Sequence, residues 1–106
     1  MKGVASMAEQ DKYLWTKTVD GHTRVGLTKF GQDELGSVMF AQLPSVGDQV
    51  ETGKTLLSVE AEKAVSDLES PVTGKIVALN PQLSDGDYDT LNSESEADAW
   101  LVDIDA

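Results

Sequence analysis

Between Lys12 and Leu79, glycine stands at positions 21, 26, 31, 36, 47, 53 and 74, and the longest purely apolar runs, such as residues 38–41 and 76–79, are four residues long. Short apolar runs separated by turn-forming residues predict many short strands, with little room for long helices. Residues 13–16 and 23–27 flank Asp20-Gly21, a dipeptide with easy access to positive φ, and form a first predicted hairpin. Residues 28–35 predict a helix of about two turns: Thr28 can cap the free N–H groups, Phe30, Asp33 and Glu34 follow at turn spacing, and Gly36 suits the left-handed position after the last turn. Strand character resumes over residues 37–44, 48–50, 55–60 and 74–79. The predicted fold is all-β with one or two short helices, closed as a sandwich or barrel.

At 106 residues the chain has room for one packed core, so residues 11–106 are expected to form a single domain behind a disordered segment over residues 1–10. Those first ten residues lack the apolar stretch of a secretory signal. With 19 acidic and 8 basic side chains the net charge is −11, which argues against partners such as nucleic acid or an anionic membrane surface. No apolar run is long enough to span a bilayer. Cysteine is absent, which excludes disulfides, thiolate metal sites and cysteine nucleophiles, and fits a cytoplasmic location. Any redox chemistry must then arrive on a cofactor. Residues 81–106 hold eight acidic side chains and no basic one, and Trp100-Leu101-Val102 reads there as an apolar anchor under an acidic surface.

Several features have an ordinary structural explanation. Asp85, Asp87, Asp89 and Glu96 occupy four positions of a calcium-binding loop, but Thr90 stands where the sharp turn needs glycine, and Pro81 and Gly86 are expected to spoil a flanking helix. His22 has no partner histidine or cysteine at ligand spacing and reads as a surface residue, so no metal site is expected. Trp15 and Trp100 sit at apolar positions of strand-like segments and are expected in the core. No phosphate loop, nucleophile elbow or paired-carboxylate signature is present, which leaves no catalytic residue to nominate.

The most informative residue is Lys63. Gly53 lies ten residues before it and Gly74 eleven after, each beside a β-rich segment, a layout that places Lys63 at the tip of a hairpin far from the glycine turns at its base. An exposed ammonium flanked by Glu60, Glu62 and Asp67 stays charged, so its activation has to come from a modifying enzyme.

Residues 46–76 carry Val46-Gly47-Asp48, Gly53, Glu60-Ala61-Glu62-Lys63-Ala64 and Ser70-Pro71-x-x-Gly74-x-Ile76 in that order, and this segment resembles the biotinyl/lipoyl attachment domains. Biotin carriers of that kind usually place methionine on both sides of the lysine; Glu62 and Ala64 stand there, and the resemblance implies lipoic acid as the cofactor, joined to Lys63. Upstream, Trp15 and the run from Val25 through Gln32, Leu35, Val38 and Phe40 to Leu43-Pro44 are similar to the H proteins of the glycine cleavage system. The likeness extends over about residues 13–102 and implies a barrel-sandwich hybrid of the lipoyl-domain type.

What that family likeness further implies is a carrier that does no chemistry itself. Its lipoyl-lysine arm would take an aminomethyl group from the decarboxylating P protein, visit the aminomethyltransferase T protein and be reoxidised by dihydrolipoamide dehydrogenase, after loading by a lipoate ligase or a lipoyl/octanoyl transferase. Lys63 carries over as the attachment point, and Glu60, Glu62, Ala64 and Asp67 as its recognition flank. There are two departures from the pattern. Tyr13-Leu14-Trp15 stands where a His-Glu-Trp is common, so the glutamate associated with holding the loaded arm is replaced by Leu14; and the sequence reaches Ala106 without the C-terminal helical extension typical of the family. Both are shared with short H-like carriers used for lipoate relay or as targets of macrodomain-linked ADP-ribosylation, which is the alternative role.

Overall fold

The computed structural model describes residues 12–106, and the segment expected to be disordered over residues 1–10 lies outside the described residues. The first hairpin joins β1 (Leu14–Val19) to β2 (His22–Leu27), paired from Leu14 opposite Leu27 to Val19 opposite His22. Its turn has Asp20 at φ 52° and Gly21 at φ 82°. Two successive positive φ values match the right-handed twist of the flanking strands, which is why the Asp-Gly pair sets this register.

Helix α1 (Lys29–Leu35) follows the expected boundaries: the Thr28 side chain accepts from the Gly31 N–H at 3.0 Å, and Gly36, at φ 79°, donates its N–H to the Gln32 carbonyl at 2.8 Å. The Thr28 hydroxyl also donates to the Lys12 carbonyl, fastening the start of the helix to the residues just before β1. Then come β3 (Val38–Gln42), β4 (Gln49–Val50), β5 (Thr55–Ala61), β6 (Val65–Glu69), β7 (Gly74–Leu79), a one-turn helix α2 (Pro81–Ser84), two 3-10 turns (Asp89–Asn92 and Glu96–Asp98) and β8 (Trp100–Asp105). Proline at the first position of α2 costs no hydrogen bond, and Asn80 caps it by accepting from the Gln82 N–H at 3.1 Å, so Pro81 begins a helix there instead of preventing one. Among the described residues no helix is long and apolar enough to cross a membrane.

The strands form two antiparallel sheets, one ordered β1-β2-β8-β7-β4 and one ordered β3-β5-β6, giving the barrel-sandwich architecture expected from the sequence. A single apolar cluster joins them: Val25 and Leu27 of β2, Leu57 and Val59 of β5, Leu68 of β6, Ile76 of β7 and Leu101, Val102 and Ile104 of β8, closed by Leu35, Leu83 and Leu91. Truncating such a leucine or isoleucine to alanine typically costs about 2–5 kcal/mol.

Strand β8 is more than the anchor that the sequence suggests. It is the middle strand of five, and residues Leu101, Val102, Asp103 and Ile104 are buried in succession. Asp103 is accommodated by Arg24 on β2, which donates from Nε at 2.8 Å and from Nη2 at 3.1 Å to its two carboxylate oxygens. The Asp103 hydrogen bond raises the Arg24 pKa, helped by the charges of Asp103 and Asp20 and opposed by burial. The guanidinium also stacks on the Trp100 ring, 3.9 Å from its centroid.

Neither tryptophan lies in the core; both are half-buried. Trp15 faces Gly26 across the β1–β2 ladder, on the side opposite the inward-pointing Val25 and Leu27. Any Cβ at position 26 would run into the indole, so the glycine makes an outer-face seat for the ring. His22 is also half-buried, at the start of β2.

Candidate functional site

Strands β5 and β6 pair from Thr55 opposite Glu69 to Glu60 opposite Val65, which leaves residues 62–64 as the turn. The Ala61 N–H closes it by donating to the Ala64 carbonyl at 2.9 Å. Lys63 is exposed in the middle of this turn. At the far end of the same hairpin the Gly53 N–H donates to Ser70 O at 3.0 Å and the Ser70 N–H to Lys54 O at 2.8 Å. Gly53 thus lies in a turn at the base as expected, whereas Gly74 is not in a turn but opens β7, opposite Val50 of β4.

The turn does not stand free. Glu62 donates its N–H to the Ser37 carbonyl at 2.9 Å, and Lys63 donates its N–H to the Leu35 carbonyl at 2.9 Å. The segment joining α1 to β3 thus serves as an edge on which the tip is held. Gly36 sits between those two carbonyls. A Cβ on it would lie 3.1 Å from Cβ of Glu62 and 3.1 Å from Cγ of Lys63, and its φ of 79° favours glycine independently.

That edge is itself braced. Gln32, 7% exposed on the inward side of α1, donates from Nε2 to Leu91 O at 2.8 Å and to Ser93 O at 2.9 Å. Asn92 accepts at Oδ1 from the Val38 N–H at 2.9 Å. Two amide side chains therefore lock α1 and the start of β3 to the turn at residues 89–93. Sequence reasoning assigns neither a role; the signal available was a glutamine one turn before Leu35 on the face that the helix buries.

The lysine side chain reaches back over the helix, and Nζ donates to the Asp33 carbonyl at 2.9 Å. Alongside runs an open groove of about 380 Å³ lined by Lys29, Gln32, Asp33, Gly36, Ser37, Glu62, Lys63 and Asn92. Glu60, near the end of β5, and Glu62, in the turn, are exposed. Asp67 is exposed on β6 and accepts from the Ser58 hydroxyl at 2.5 Å, so its carboxylate is occupied within the sheet. Ala64 is half-buried against the core. Of the expected flank, then, Glu62 lines the groove with Lys63, Glu60 is exposed near the end of β5, Asp67 is exposed further down β6, and Ala64 packs against the core. Leu14, in the place of the glutamate, packs partly buried against the core and brings no polar group to the groove.

Chemically the arrangement offers one primary amine on a short, doubly anchored turn beside a polar groove. Among the described residues there is no group of three His, Cys, Asp or Glu side chains placed to hold a metal ion.

The family model described as glycine cleavage H-protein matches residues 6–106 of the chain. The glycine cleavage system H protein of Listeria innocua is 40% identical over 94 residues, covering 89% of this chain and 74% of that protein. That of Mycobacteroides abscessus is 40% identical over 103 residues, covering 96% of this chain and 78% of the relative. The crystal structure of a glycine cleavage system H protein from Mycobacterium marinum superposes with a TM-score of 0.77 at 34% identity, over 89% of this chain and 78% of that one.

Proposed function

Because this chain belongs to the glycine cleavage H-protein family, we propose that it is a non-catalytic carrier bearing a lipoyl group in amide linkage to Lys63 and passing an aminomethyl group between the P, T and L proteins of that system. Residues 11–106 act as one carrier domain, working in the cytoplasm.

The observation that carries this reading is the placing of Lys63. A carrier needs its amine exposed, so that a ligase or lipoyl/octanoyl transferase can reach it, and fixed at its root, so that the arm starts from a defined point. Both requirements have residues behind them: the side chain is exposed, while the main-chain N–H groups of Glu62 and Lys63 are tied to Ser37 and Leu35. Amide formation joins Nζ to the acyl carbon of an activated lipoate, with loss of the activating group and of a proton from the amine. A lysine is an ammonium at neutral pH, so the modifying enzyme must take up a further proton before the neutral amine can attack. When bound, the lipoyl group supplies the reversible disulfide that the cysteine-free chain lacks. Lys63 then provides reach, and the braced turn provides direction. The lipoate-relay and ADP-ribosylation roles have no separate observation in their favour, whereas the family match covers residues 6–106.

The test is P-protein-dependent exchange of bicarbonate into the carboxyl group of glycine, run with protein whose single lipoyl modification has been verified by intact mass. Exchange that is lost in Lys63→Arg is the expected result. Fully lipoylated protein that supports no exchange, beside an active H protein as control, would overturn the glycine cleavage role.

A further inference from the structure

Among the described residues, five large apolar side chains stand well exposed, and three of them, Met39 (63%), Phe40 (44%) and Val65 (75%), lie on the one sheet that ends in the Lys63 turn. The register aligns two of these. Phe40 is opposite Glu60 on β5, and Glu60 is opposite Val65 on β6. With neighbouring strands about 4.8 Å apart, Phe40, Glu60 and Val65 form a row roughly 10 Å across, set directly before the turn.

Met39 joins the row through an irregularity. The β3–β5 register shifts between Val38 and Phe40, so that Val38 and Ala41 are buried while both residues between them face out. Such a slip on an edge strand re-aims a side chain that regular alternation would have turned inward. The Tyr88 ring meets Phe40 edge-on, with centroids 5.7 Å apart, and props the row from one side. Glu60 stands within the row, the carboxylates of Glu62 and Asp67 are exposed to either side of it, and β3, β5 and β6 contain no lysine or arginine.

We propose that Met39, Phe40 and Val65 with this acidic rim form the docking surface for the enzyme that acylates Lys63, which meets it with an apolar socket bordered by Lys and Arg side chains. The proposal rests on the reading of Lys63 as the attachment site. An unmodified lysine extends only one side chain from the backbone, so the acylating enzyme has to cover the root of the turn, and Val65 begins two residues away. Enzymes visited later are met at the end of a longer arm and have no such need to touch the root. An apolar centre inside a charged rim is the usual anatomy of a protein interface, and the uniform negative sign of this rim fixes the sign of the partner's.

The test is the steady-state acylation of unmodified carrier by a purified lipoate ligase supplied with ATP and lipoate, comparing wild type with Met39→Ser, Phe40→Ser, Val65→Ser and Glu60→Lys. Each substitution is expected to raise KM for the carrier about tenfold with kcat changed less than about twofold, as loss of an interface anchor does. As a measure of binding without chemistry, Lys63→Arg carrier should inhibit acylation of wild type competitively, and the Lys63→Arg/Phe40→Ser double variant should inhibit about tenfold more weakly. Val65 is the most exposed of the three, so Val65→Ser decides the matter if Phe40→Ser melts early. Unchanged KM values and equal inhibition by the two competitors would overturn the proposal. So would variants that are acylated normally and fail only in glycine exchange, since the patch would then belong to a later partner. Wild type that is not acylated on Lys63 by peptide mass would instead remove the attachment reading itself, an outcome distinct from the other two.

Discussion

Lys63 and Asp33 meet through a single hydrogen bond, from the lysine Nζ to the main-chain carbonyl of the aspartate at 2.9 Å. The amine is thereby laid against the last turn of α1, where a positive charge also meets the negative end of the helix dipole. Acylation changes the donor from a charged ammonium to a neutral amide N–H and removes the electrostatic part of this contact. The side chain is exposed, so that loss would be small in energy.

Lys63→Arg is expected to abolish the lipoyl mass increase and leave stability within about 0.5 kcal/mol of wild type, as surface changes do. Lys54 and Lys75 are exposed elsewhere, and their replacement should leave modification intact. Peptide mass spectrometry and a urea titration give both readings, and a lipoyl group found on Lys63→Arg protein would reject the site.

Gly36→Ala combines a φ of 79° with a new methyl group 3.1 Å from Lys63 Cγ and Glu62 Cβ. A loss of about 1–3 kcal/mol is expected in equilibrium denaturation, with slower acylation because the turn is pushed off its two carbonyl anchors. Gly36→Asn should fare no better than alanine, because a ψ of −164° lies outside the left-handed helical region that asparagine tolerates and the clashing Cβ remains.

Gln32→Ala and Asn92→Ala each remove hydrogen bonds that brace the edge under the turn. The backbone partners left behind predict about 1–3 kcal/mol of destabilisation for each. Amide hydrogen exchange at Glu62 and Lys63 should accelerate with it; unaltered exchange there would mean the bracing does not extend to the tip.

Arg24 and Asp103 form a part-buried bidentate pair beneath which Trp100 lies. Arg24→Met, which strands the carboxylate, should cost about 1–3 kcal/mol. Because the Arg24 pKa is raised, its contribution is complete below the unfolded-state value of a guanidinium and is lost only as pH climbs through the still higher folded value. The stability gap between wild type and variant should therefore stay constant from pH 7 to about pH 10. A gap that closes within that range would show that the arginine charge is not what supports Asp103.

Much of the fold is legible from local chemistry. Asp20-Gly21 fixes a hairpin by its backbone preference, Thr28 and Gly36 bound a helix by capping, and the position of Lys63 between two strands follows from the turns around it. What escapes is long-range. Residues 100–105 look like an anchor because four buried residues in succession do not alternate, and only the pairing with β2 and β7 explains why they need not. Trp15 and Trp100 leave the core because Gly26 makes room on the outer face and Arg24 stacks there, neither of which shows in local hydrophobicity. The props of the lysine turn come from residues 30 or so positions away on either side, at Gln32, Gly36 and Asn92, so no local pattern around Glu60-Ala61-Glu62-Lys63 could reveal them.

The central place of β8 also bears on how the molecule is made. β2 leaves the ribosome early, but the strand it hydrogen-bonds on its inner edge is some eighty residues downstream, Arg24 opposite Asp103. During synthesis the β1–β2 hairpin and β7 must wait, each with one edge unsatisfied, until residues 100–105 have emerged. The five-stranded sheet can close only then, so its assembly should be slow, governed by bringing together strands so far apart in sequence.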